Sequence, residues 1–192
     1  MLDHIGESFD RYQIEGSIRQ DIWGTVYRAY DPKFARKVAI QFLGSELCRQ
    51  AKTVESYLQL ARTVLRWRHP GIIRFFDFGE SQEKVYTVQE YFPGPDLEEA
   101  LQKLRSRQLW LPLSESIQIV NSVCQALHYA HQRGVKHQNL TAKNILLNSE
   151  PGDNLPFQPV LINLGFGLAE QNENSESDEG VVQDIQAAGK LL

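Results

Sequence analysis

Residues 137–144 read His137-Gln138-Asn139-Leu140-Thr141-Ala142-Lys143-Asn144. The stretch brings together a histidine, a lysine and two asparagines, and it contains no Asp or Glu. Before it, Ser114 suits the N-cap of a helix on which Ile117, Val120, Cys124 and Leu127 share one face. After it, residues 148–159, "NSEPGDNLPFQP", form a long Pro/Gly/polar connection. A polar loop held between an amphipathic helix and such a connection is a candidate functional segment.

Upstream, "YQIEGSI", "WGTVYRAY" and "KVAIQFL" alternate as strands, separated by polar or Asp-Pro turns. Leu47, Val54, Leu58, Ala61 and Leu65 then recur at helical spacing over residues 45–67. "GIIRFFDFG" and "KVYTVQEYF" are strand-like again, joined by the turn Glu80-Ser81-Gln82-Glu83. The expected first lobe, residues 1–91, is therefore a five-stranded antiparallel sheet with one helix. Residues 92–95 form a Pro/Gly hinge, and residues 96–192 a mainly helical part. That part opens with Asp96 and Glu99 as a capping box ahead of Leu97, Leu101 and Leu104.

The 192 residues are 42% apolar and 23% charged, enough to bury a core. A net charge of −4 offers no basic field for nucleic acid or an anionic membrane surface. Cys48 and Cys124 stand apart from each other and from any metal-ligand spacing, and no apolar run approaches bilayer length. The expected setting is the cytoplasm. Residues 170–179, "EQNENSESDE", read as a second surface loop.

With these motifs in order, the chain resembles a protein kinase domain of the bacterial Ser/Thr type over almost its whole length. "IRQDIWGTVYRAYDP" resembles the glycine-rich hairpin, "VAIQ" the Val-Ala-Ile-Lys strand, and "RHPGIIRFFDFGE" the segment after the first lobe's helix. "VQEYFPGPDL" is similar to the hinge, "LHYAHQRGVKHQNLTAKNILL" to the catalytic loop, "PVLINLGFGLAE" to the Asp-Phe-Gly region and "QDIQAAGKLL" to the start of the central helix. The resemblance implies an α+β, bilobal protein kinase-like fold with an incomplete helical lobe.

Each family motif has a task in phosphoryl transfer, and here most of the charged posts are neutral. Of the Gly-x-Gly-x-x-Gly loop only Gly24 remains, with Arg19 and Asp21 at the other glycine positions. Gln41 stands where the phosphate-holding lysine belongs, and Leu60 where its glutamate partner belongs. Losing both together leaves neither as an unpaired charge. Asn139 replaces the aspartate that accepts the substrate hydroxyl's proton, and Thr141 the lysine that steadies the phosphoryl group. Asn163 replaces the Mg²⁺-binding aspartate; a second register, matching Phe166-Gly167, puts Gly165 there instead. Asn144 is retained at the metal-binding position, as a weak ligand.

By the same resemblance Ile18, Val26, Ala39, Gln41, Glu90, Phe92, Asp96 and Leu146 would contact an adenine nucleotide, ATP or ADP held without Mg²⁺. Val64, Phe75, His137 and Leu164 would form the apolar column tying the lobes, and Asp184 would pin the loop backbone. Only eighteen residues separate Gly165 from Asp184, with no Ala-Pro-Glu among them, so the resemblance implies that the peptide-docking platform is deleted, and the chain stops inside the central helix. Either the sequence is a fragment or a partner covers the exposed surface.

The expectation that follows is a pseudokinase, not an enzyme, acting as a binding or regulatory module for protein partners. The alternatives are a feeble ATP-dependent Ser/Thr kinase with a rearranged site, and a truncated remnant without function.

Overall fold

The computed structural model describes residues 6–148, 158–165 and 179–191. Expectations for 149–157 and 166–178, including the Phe166-Gly167 register, the deleted docking platform and most of the two surface loops, lie outside the described residues. The chain divides into two units, Met1–Trp67 with Arg74–Tyr91 and Arg68–Ile73 with Phe92–Leu192.

The first unit is built on one antiparallel sheet. Its strands are β1 (Ser8–Phe9), β2 (Tyr12–Asp21), β3 (Gly24–Asp31), β4 (Arg36–Leu43), β5 (Phe75–Ser81) and β6 (Lys84–Glu90), in the order β1-β2-β3-β4-β6-β5. Period-two alternation sends Tyr27, Ala29, Val38, Ile40, Phe42, Tyr86 and Val88 to one buried face with Tyr12 and Ile14. The sixth strand, β1, is two residues long and lies below what alternation can reveal. Its Phe9 holds it in place, meeting Phe42 and Tyr86 edge-on at centroid distances of 4.7 and 5.0 Å. Each such pair adds about 1 kcal/mol beyond the area it buries.

The expected single helix over 45–67 is two: a one-turn α1 (Ser45–Cys48) and α2 (Ala51–Val64), broken at Arg49 and Gln50. The buried stripe of α2 is Thr53, Tyr57, Leu60, Ala61 and Val64, so of the predicted face only Ala61 is fully buried. Val54 and Leu58 lie at its margin. The chain is apolar on two adjacent faces there, and the sheet takes the one carrying Tyr57.

In the second unit α3 (Leu97–Ser106) starts with the predicted capping box. Asp96 Oδ1 accepts from the Glu99 N–H at 2.8 Å, and Glu99 Oε2 accepts from the Asp96 N–H at 3.2 Å. Helix α4 (Leu113–His131) begins one residue before Ser114, with Pro112 at the N-cap and no side-chain cap. Its buried residues are Ile119, Val123, Ala126, Leu127 and Ala130, while Ile117 and Cys124 are exposed. The predicted stripe therefore sits one face away from the real one, where small Ala126 and Ala130 let the helix approach its neighbours closely.

A 3₁₀ turn (Ala142–Asn144) leads into the hairpin of β7 (Ile145–Leu147) and β8 (Pro159–Leu161), followed by α5 (Glu179–Ala188). Residues 71–73, expected to start a strand of the first unit, pair with β8 instead. Leu161 N–H donates to the Gly71 carbonyl at 2.8 Å, and Ile73 N–H to the Leu161 carbonyl at 2.9 Å. The hinge residue Gly94 lies flush on β7, where a Cβ would run into the Leu147 carbonyl oxygen.

Candidate functional site

In the first unit, cross-strand register puts Val26 opposite Gln41 and Gln41 opposite Thr87, with Ala39 opposite Gln89 one step along the same face. Gln41 is only 1% exposed. Its Oε1 accepts from Gln89 Nε2 at 3.4 Å, Gln89 Nε2 also donates to Thr87 Oγ1 at 3.2 Å, and the Thr87 and Tyr57 hydroxyls bond at 3.0 Å. Burial pushes the Tyr57 hydroxyl well above its ordinary pKa, against the opposing effect of Thr87, so this ladder is neutral throughout. Gln41 Nε2, equally buried, has no hydrogen-bond partner among the described residues. Leu60 is buried on the same helix stripe as Tyr57. Sequence reasoning singled out Gln41 and Leu60 but missed Gln89, Thr87 and Tyr57. Two polar residues alternating in the otherwise apolar "VYTVQ" were the available signal.

The hairpin at 19–24 owes its one retained glycine to packing. Gly24 has φ +132°, and a Cβ there would meet the Phe42 carbonyl oxygen and lie 2.7 Å from Gly44 N. Gly44 N–H in turn donates to the Trp23 carbonyl at 2.8 Å. Asp21 accepts from Trp23 N–H at 2.9 Å and pairs with Arg19 at 3.5 Å. Ile18 is half exposed and Glu90 exposed, whereas Val26 and Phe92 are half-buried.

In the second unit the loop 137–144 is fastened from α5. Asp184, 1% exposed, accepts from the His137 N–H and the Gln138 N–H, both at 2.7 Å, and its Oδ2 lies 2.8 Å from His131 Nε2. A carboxylate taking two backbone donors is a strong, charge-assisted anchor. The His137 ring is fully buried, and burial lowers its pKa to about 4, with the Asp184 charge opposing. The unfolded chain therefore binds a proton between pH about 6.5 and about 4 that the folded chain excludes. This contribution to stability is complete above pH about 6.5 and is lost progressively as the pH drops toward about 4. Urea titrations across this range, compared with His137→Gln, check this: the variant should lose much of the slope, and parallel curves would refute it.

Across the loop runs a chain of amides. Asn144 Nδ2 donates to the Asn139 carbonyl at 2.8 Å, and Asn163 Nδ2 donates to Asn144 Oδ1 at 2.9 Å. Asn144 and Asn163 are 6% and 4% exposed. Asn163, at φ +57°, adopts a backbone conformation that Asn tolerates. It is Asn163 that faces Asn144; Gly165, at φ +75°, ends the described stretch. Mg²⁺ needs hard, anionic oxygens, and here the one amide oxygen aligned for it is already taken by an N–H donor. The residues present do not fit that ion. No cluster of three His, Cys, Asp or Glu suited to a metal occurs among the described residues. Thr141 is exposed, Lys143 lies 3.7 Å from Glu98, and Leu146 is half-buried beside Asp96 in an isolated β-bridge.

The protein kinase domain profile matches residues 12–187. The chain is 28% identical over 178 residues to Serine/threonine-protein kinase PknD of Protochlamydia amoebophila, covering 88% of this chain and 17% of that protein. It is 31% identical over 179 residues to Serine/threonine-protein kinase pkn3 of Myxococcus xanthus, covering 91% and 31%. Among solved structures, the Mycobacterium tuberculosis PknI kinase domain superposes with TM-score 0.70 at 28% identity, over 84% of this chain and 62% of that one. The chain thus spans less than a third of these curated relatives. No described helix is long and apolar enough to cross a membrane. The match corrects the expectation that the chain is not an enzyme: the domain it carries and the relatives it resembles are those of named Ser/Thr kinases. With the domain matched from β2 into α5, the chain belongs to the protein kinase family.

Proposed function

We propose that this domain binds an adenine nucleotide without Mg²⁺ and serves as a slow, ATP-dependent Ser/Thr protein kinase domain with protein partners. The observation carrying the reading is Gln41, a buried amide donor with no acceptor among the described residues, at the position where the family holds phosphate. An unmet buried donor costs about 1–3 kcal/mol, so a ligand oxygen that met it would bind favourably. The anchored loop supports the same reading, because transfer in this family rests on positioning and electrostatics more than on covalent chemistry. Slowness follows from Asn139: an amide cannot take the hydroxyl proton, and a positioned base contributes about 10²–10⁴ in rate.

Thermal melting of the purified chain with ATP, in EDTA and separately in Mg²⁺, tests the binding. Equal stabilisation in both is expected, and Gln41→Leu should reduce it. Absence of any shift would end the nucleotide reading. A single-turnover assay with radiolabelled ATP and a Ser/Thr substrate protein tests the rate, and turnover of about 1–100 s⁻¹, ordinary for kinases, would contradict it.

A further inference from the structure

The amide chain across the loop has a direction fixed by its end. The Asn139 carbonyl can only accept, so Asn144 must present Nδ2 to it and Oδ1 to the other side. What faces Asn144 Oδ1 must then be a donor, and Asn163 Nδ2 is one, at 2.9 Å. Both side chains are more than nine-tenths buried, so water does not replace this bond easily. Backbone pairing next to it, Ile162 N–H to the Asn144 carbonyl at 3.0 Å and the Ile145–Leu161 register, holds the two residues at this spacing.

An aspartate at 163 would reverse the requirement. Carboxylate oxygens would face an amide oxygen, two acceptors with no proton between them, and a cation would be needed to make the contact favourable. We propose that the Asn163–Asn144 amide bridge stands in for a divalent cation, locking the loop 137–144 to the end of β8 in a cation-independent way. Asn163 is a positioning residue here, since it acts through Asn144. This deepens the proposed function and rests on it for one consequence only: the nucleotide arrives without its metal because the amide pair offers no anionic oxygen to hold one.

The test uses the chain without nucleotide, so its failure and a failure of ATP binding are distinguishable. Wild type, Asn163→Asp and Asn163→Ala are melted in EDTA and in millimolar Mn²⁺. Wild type should melt at the same temperature in both. Asn163→Asp should melt about 5 °C lower in EDTA, the scale of losing a buried bond in a chain of this size, and regain at least half of that loss in Mn²⁺. Asn163→Ala should be lowered and unresponsive to Mn²⁺. Water-proton relaxation by Mn²⁺ on the folded proteins gives a second readout: Mn²⁺ should bind Asn163→Asp at least tenfold more tightly than wild type. Mn²⁺ bound or stabilising in wild type as strongly as in Asn163→Asp would overturn the proposal. So would an Asp variant as stable as wild type in EDTA.

Discussion

Replacing Asn139 and Asn163 together by aspartate is expected to raise single-turnover phosphoryl transfer from ATP in Mg²⁺ by at least about 10²-fold. The first change supplies a proton acceptor in a loop already fastened through His137 and Gln138 to Asp184. The second turns the acceptor–donor contact at Asn144 into an oxygen pair that can hold a cation. Neither change alone should achieve this, since groups that act as a unit are strongly non-additive. Asn139→Asp without the second leaves the phosphates uncompensated, and Asn163→Asp without the first leaves the hydroxyl proton in place. Gln41 remains neutral, so the double variant should still fall short of an ordinary kinase. A rate unchanged from wild type in a folded double variant would mean that the loop is not aligned for transfer.

Asp184→Ala should lower the stability of the domain by about 4 kcal/mol. Its carboxylate is almost fully buried and receives two backbone donors at 2.7 Å, with His131 Nε2 at 2.8 Å. Truncation leaves the donors of His137 and Gln138 facing a void, which costs their desolvation as well as the bonds. Asp184→Asn keeps one acceptor oxygen and should cost about half as much. Urea unfolding measures the totals, and hydrogen exchange should show the His137 and Gln138 amides losing protection first. A loss under about 1 kcal/mol for the alanine variant would show that the loop is held by other contacts.

Much of the fold could be read from the chain because its signals are local. Alternation in "KVAIQFL" gave β4, and Asp96 with Glu99 gave the start of α3. The faces of α2 and α4 were misread because both helices carry apolar residues on two sides. Ile117 and Ile119 are equally apolar, yet Ile119 is buried with Val123, Ala126 and Ala130 while Ile117 is exposed. Strand β1 was missed because it is two residues held by Phe9 against Phe42 and Tyr86, a contact with no local pattern. Gln41, Leu60, Asn139, Asn144, Asn163 and Asp184 were singled out as individual positions by the resemblance. Their bonding was not legible, since Asn144 meets Asn163 across 19 residues and Gln41 meets Gln89 across 48. The non-enzyme expectation weighed each neutral side chain by its charge alone, whereas in the structure Asn144 bonds both Asn139 and Asn163, and Gln41 bonds Gln89.

The neutral ladder in the first unit also bears on how such a domain can change over generations. A lysine arriving alone at position 41 would be an ammonium buried beside Gln89, while the buried residues of α2 (Thr53, Tyr57, Leu60, Ala61 and Val64) include no carboxylate. An uncompensated charge of that kind costs several kcal/mol, and a glutamate arriving alone at 60 would face the same penalty. Each single step toward an ion pair between positions 41 and 60 passes through a weakened protein, so only a coincident double change could install one.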